Sequence, residues 1–108
     1  MNKTIRKSNQ LESAYQATLK NKIKNLFPGA IILKQDSNQL QGIPDLVIFF
    51  KHLWAMLEVK RHDDSLKRPN QGFYVNHFDE MGFARFINPE NEDSVLEDLK
   101  VYFTEGST

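Results

Sequence analysis

The stretch GIPDLVIFFKHLWAMLEVKR, residues 42–61, decides how the rest of the chain is read. It holds two apolar runs, 45–50 and 53–60, separated by Lys51 and His52. Runs of this length, rich in Val, Ile, Phe and Trp and split by two turn residues, predict a β-hairpin. Side chains alternate along a strand, so Leu53, Ala55, Leu57 and Val59 share one face while Trp54, Met56, Glu58 and Lys60 share the other. In a hairpin turning at 51–52, the start of the first strand lies beside the end of the second. Asp45, thirteen positions before Glu58, is thereby brought next to Glu58 and Lys60. Nearly continuous apolar strands do not need these charges to fold, and buried charges are costly unless paired or bound to a metal.

Two neighbouring carboxylates repel, and one of them tends to keep a proton. A divalent cation removes that conflict. Oxygen-only donors select a hard ion, Mg²⁺ or Mn²⁺, which keeps several waters and leaves room for a phosphate. A lysine at the same place supplies positive charge for an attacking water or for a phosphorane-like transition state. Asp45, Glu58 and Lys60 thus form a constellation suited to metal-dependent phosphodiester hydrolysis.

Outward from the hairpin, Leu11, Ala14, Tyr15, Leu19, Ile23 and Leu26 recur at helical spacing before the stop FPG at 27–29. Asn9 is read as the N-cap of that helix, with Glu12 in capping-box position. Glu12 also falls inside the apolar stripe, which aims it at the sheet and makes it a candidate fourth member of the site. Residues 30–33 predict a strand, 70–81 a helix closed by Gly82, 83–87 a strand, and Asn88-Pro89 the start of a last helix. The order is α-β-β-β-α-β-α, an α/β fold with a mixed central sheet flanked by helices.

The 108 residues favour one domain, 1–108, with 1–8 a flexible basic arm and 104–108 a frayed tail. No run of 18 apolar residues argues for a membrane span, and no apolar core follows the basic start to make a secretory signal. Without cysteine there are no disulfides or thiolate metal sites, which fits a cytoplasmic setting. Net charge is zero, yet residues 1–34 carry seven Lys/Arg against one acid, and residues 79–108 carry eight acids against two bases. A basic first third approaches a polyanion while the acidic end faces away; plain solvated helix surfaces explain the same asymmetry. Lys34, Arg61, Lys67 and Arg68 flank the proposed site and Lys3, Arg6 and Lys7 form the arm, a set of candidate DNA phosphate contacts. Phe73 and Tyr74 are candidates for base stacking.

GIPD followed by EVK at hairpin spacing resembles the PD-(D/E)XK nuclease superfamily, with its restriction-endonuclease-like αβββαβ core. The likeness extends to the virus-type replication-repair nuclease (VRR-NUC) group through Gln71 at the head of a helix and the later EMGFARFI. The resemblance spans roughly residues 9–100. It implies a DNA endonuclease in which Asp45 and Glu58 bind Mg²⁺, the Val59 carbonyl adds a ligand, Lys60 assists attack by water and Gln71 helps. Mn²⁺ is expected to substitute. By the same resemblance, stand-alone members of this size look like bacteriophage proteins, and some resemble Holliday-junction resolvases that act on branched DNA as homodimers. Two other classes compete: a non-catalytic module that binds DNA or a partner on a retained nuclease fold, and a mimic that blocks a nuclease through its acidic end. The intact acid-acid-lysine set favours the enzyme.

Overall fold

In a computed structural model, which describes residues 3–36, 39–61 and 69–106, the two apolar runs form strands β2 (Leu46–Phe50) and β3 (Leu53–Val59). They pair antiparallel with Leu46 opposite Leu57 and Phe50 opposite Leu53. Lys51 takes the left-handed conformation, φ 57°, that lets a two-residue connection follow the strand twist. Strand β1 (Ile31–Lys34) pairs antiparallel with β2 on the outer side, and β4 (Ala84–Ile87) pairs parallel with β3. The sheet order is β1-β2-β3-β4. A parallel neighbour requires a crossover, supplied by helix α2 (Pro69–Met81), while α1 (Lys3–Leu26) precedes the sheet and α3 (Glu92–Glu105) follows it.

Strand alternation sets the layers. Leu46, Ile48, Ala55, Leu57 and Val59 form a buried cluster with Leu19, Ile23 and Phe27 and with Val95, Leu96, Leu99 and Phe103 of α3. Phe27, Phe50 and Phe103 close this core as a triangle with ring centroids 5.1 to 5.5 Å apart. Replacing one such buried leucine by alanine costs about 2–5 kcal/mol. The opposite face meets α2, where Trp54 packs edge-on against Phe78 at 6.2 Å. Tyr15 donates a hydrogen bond to Glu92 (2.9 Å), and Lys22 pairs with the same carboxylate, tying α1 to α3. The fold is the α/β architecture expected, a four-stranded mixed sheet between helices.

Four local expectations need correction. Helix α1 begins at Lys3, so residues 3–8 are helical rather than an arm, and Asn9 lies inside the helix. Glu12 is consequently not part of a capping box. Among the described side chains of α1 the buried ones are Gln16, Leu19 and Ile23, followed by Phe27, whereas Leu26 and Ala14 face solvent, so over this part of the helix the buried stripe is rotated from the one the apolar spacing gives. Helix α3 starts at Glu92 with Asn91 at its cap, not at Asn88. The reason is a reciprocal turn in which Asn88 Oδ1 accepts the Asn91 N–H and Asn91 Oδ1 accepts the Asn88 N–H, each at 2.8 Å. That pairing satisfies backbone groups that a helix start would otherwise leave open. Residues 104 and 105, expected as part of a frayed tail, continue α3, and Gly106 donates to the Tyr102 carbonyl at 2.9 Å. No described helix is long and apolar enough to cross a membrane.

Candidate active site

The hairpin register, continued one residue past Leu46–Leu57, sets Asp45 opposite Glu58. Asp45 is locked there from both sides. Its Oδ2 accepts the Val59 N–H at 2.9 Å and its carbonyl accepts the Gln35 N–H at 2.7 Å. Glu58 is the penultimate residue of β3 and lies on the face that meets α2. Lys60 follows the strand, its N–H held by the Ile87 carbonyl at 2.8 Å, so β4 fixes the backbone from which its ammonium projects. Lys60 Nζ stands 3.8 Å from Glu58 Oε2. Gln71, one residue beyond Asn70 in the first turn of α2, donates from Nε2 to that same Oε2 at 2.9 Å.

Gly42, the first residue of GIPD, explains how α2 reaches the site. Its φ is +91°, and a Cβ there would lie 2.4 Å from Asn70 Cβ. Only a residue without a side chain lets this loop close against the head of α2, and that contact seats Gln71 over Glu58.

Glu58 is 2% exposed, and its Oε1 is a buried oxygen with no hydrogen-bond partner. Burial pushes its carboxyl up to about 8; the neighbouring Asp45 carboxylate adds to this and the Lys60 ammonium opposes it. Glu12 is also raised, chiefly by burial, with Lys60 acting against the shift and Asp45 with it. These mutual influences locate Glu12, Asp45, Glu58 and Lys60 in one electrostatic neighbourhood at the end of the sheet.

Among the described residues no three His, Asp or Glu side chains gather into a ready-made metal cage. The donor set is instead a pair of carboxylates, which is what Mg²⁺ ordinarily takes from a protein. A buried carboxylate with an orphaned oxygen and a second carboxylate as its neighbour fits a hard cation, because such a cation would satisfy the oxygen and cancel the repulsion together.

The expected DNA contacts divide. Lys34 is exposed and lines a cavity of about 240 Å³ with Glu12, Ser13, Gln16 and Asp45. Arg61 directly follows Lys60 and is half-buried. Lys67 and Arg68 lie outside the described residues, as do the side chains of Lys3, Arg6 and Lys7, although the backbone of those three belongs to α1. Phe73 is exposed and its ring stacks on His77 at 5.7 Å, on the outer side of α2. Ser13 and Gln16 are the residues that sequence reading missed. The available signal was the spacing of Gln16 from Glu12, one helical turn, which sets both on one face.

The β-β-β-α-β order and the mixed sheet are consistent with a restriction-endonuclease-like fold. Consistent with this, the chain superposes on a solved structure titled "VRR_NUC domain" with a TM-score of 0.65, at 21% identity, over 81% of this chain and 95% of that one. The two share a fold. No family profile matches the sequence, and no curated protein matches it.

Proposed function

We propose that the protein is a divalent-metal-dependent deoxyribonuclease that hydrolyses phosphodiester bonds. The observation that carries this reading is Glu58: a fully buried carboxylate with one orphaned oxygen, beside Asp45 and 3.8 Å from Lys60. A purely structural strand has no reason to keep such a group, since an unsatisfied buried polar atom costs about 1–3 kcal/mol. The fold shared with a VRR_NUC domain supports the same assignment.

Asp45 and Glu58 would hold Mg²⁺ or Mn²⁺, with the Val59 carbonyl as a further ligand. Once bound, the ion polarises a phosphoryl oxygen and lowers the pKa of its water. The chain's own residues supply the rest. Lys60 places a positive charge where the attacking water and the pentacovalent oxygens gather negative charge. Its neighbour Glu58 keeps that ammonium oriented, and Gln71 in turn fixes the Glu58 carboxylate through Oε2. Glu12 adds a second-rank acid within electrostatic reach of Lys60 and Asp45. DNA approaches over Lys34 and Arg61, with Lys3, Arg6, Lys7, Lys67 and Arg68 as further phosphate contacts. By resemblance the substrate is branched DNA, and a homodimer presents one site to each strand.

The test is cleavage of supercoiled plasmid and a four-way junction with Mg²⁺, Mn²⁺ or chelator. Cleavage is expected with either metal, none with chelator, and a loss of at least a hundredfold in Lys60→Ala and Asp45→Asn with DNA binding retained in Lys60→Ala. Tight DNA binding without cleavage under any metal would instead establish a non-catalytic binding module.

A further inference from the structure

The cavity beside Asp45 contains a feature that hydrolysis at Glu58 and Lys60 does not use. On α1, the positions that follow Gln16 on the buried face are apolar, Leu19 and Ile23. Gln16 itself is only 9% exposed, yet it lines the cavity, and its amide makes no hydrogen bond to another described residue. An apolar side chain there would extend the core. A glutamine lining such a space brings both a donor and an acceptor to an occupant. Lys34 lines the same cavity from the end of β1, its ammonium likewise without an ion pair among the described residues, and Ser13 contributes a hydroxyl. At about 240 Å³ the space exceeds a water molecule's share of about 30 Å³ several-fold.

We propose that this α1–β1 cavity is a subsite for the phosphodiester next to the scissile one, with Lys34 and Ser13 on its phosphate oxygens and the Gln16 amide on the same phosphate or its sugar. The assignment rests on the nuclease reading and adds the position of a second phosphate. Its chemistry follows from the lining. One ammonium supplies the charge, an amide gives both a donor and an acceptor, and a hydroxyl gives either. Glu12 and Asp45 also line the cavity and repel an anion, so Lys34 is the group that makes the subsite tolerate phosphate. Asp45 belongs to both the cavity and the acid pair, which limits the occupant to a group adjacent along the strand to the one being cut.

The subsite is tested by binding of the full chain, in Ca²⁺, to a four-way junction and a linear duplex in which each linkage in turn is an uncharged methylphosphonate. For the wild type, one linkage beside the cut should weaken binding about tenfold when neutralised, the scale of a lost charged hydrogen bond. Lys34→Ala should weaken binding to unmodified DNA about tenfold, lose nothing more at that linkage, and lower the slope of log K against log salt by about 0.9, one phosphate. Gln16→Ala should weaken binding several-fold with an unchanged melting temperature, and Gln16→Glu more than tenfold. Lys100→Ala, on α3, should leave affinity unchanged. Additive losses for Lys34→Ala and the neutral linkage, or wild-type affinity in both Lys34→Ala and Gln16→Ala, overturn the subsite while leaving nuclease activity intact. Absence of DNA binding by the wild type overturns the nuclease reading as well. Should Gln16→Ala not fold, the exposed Lys34→Ala carries the test alone.

Discussion

Glu58 ties stability to pH in a way that can be measured without any cleavage assay. Burial and the Asp45 carboxylate raise it from 4.5 to about 8. A carboxylate raised on folding contributes its full stability below the unfolded pKa and loses it as pH climbs through the folded one. The window therefore runs from 4.5 to about 8. At 1.36 kcal/mol per unit, the metal-free protein should lose about 3 kcal/mol by pH 7 and about 4–5 kcal/mol above pH 8. Glu58→Gln keeps the shape and the acceptor for Gln71 while removing the charge, so it should be close to the wild type at pH 5 and more stable than it by about 3–4 kcal/mol at pH 8.5. In a domain of this size that is a rise in melting temperature of roughly 10–20 °C. The assay is urea unfolding in chelator at pH 5, 7 and 8.5, repeated with Mg²⁺. The ion should stabilise the wild type and leave Glu58→Gln unmoved, since ligands that bind only the native state shift its stability. A stability gap that does not change with pH, or a Glu58→Gln protein weaker than wild type at pH 8.5, would refute the reasoning.

Gln71→Ala removes the donor to Glu58 Oε2 and should cost about 1–2 kcal/mol, with a larger proportional loss in cleavage than in DNA affinity; equal losses in both would show that it only supports the fold. Gly42→Ala meets both a positive φ and Asn70 at 2.4 Å. It should destabilise by about 2–3 kcal/mol and lower activity even at temperatures where the protein is fully folded, because α2 is pushed off Glu58. Tyr15→Phe deletes the hydrogen bond to buried Glu92 and should lower stability by about 1–2 kcal/mol in urea melts, without altering DNA affinity.

The hairpin was legible in the sequence because its information is local. Period-two alternation, a two-residue turn and a thirteen-residue spacing are enough to bring Asp45, Glu58 and Lys60 to one end of a sheet, and the structure has that register. The helix boundaries were less legible. Asn9 and Asn88 have the chemistry of caps, but α1 continues through Asn9, and Asn88 is engaged by Asn91 across a turn. Cap propensity is a weak local preference that neighbouring hydrogen bonds override.

The sequence by itself determined the order of elements, the hairpin and the acid-acid-lysine set, since each depends on residues close in the chain or on strand periodicity. Tertiary structure alone decided the state of those groups. Burial against α2 makes Glu58 a high-pKa carboxylate with an orphaned oxygen, and Gly42 packing on Asn70 delivers Gln71 to it. The meeting of α1 with β1 turns Gln16 and Lys34, eighteen residues apart, into walls of one cavity. Desolvation and contacts between distant segments have no local signature, so they appear only when the chain is folded.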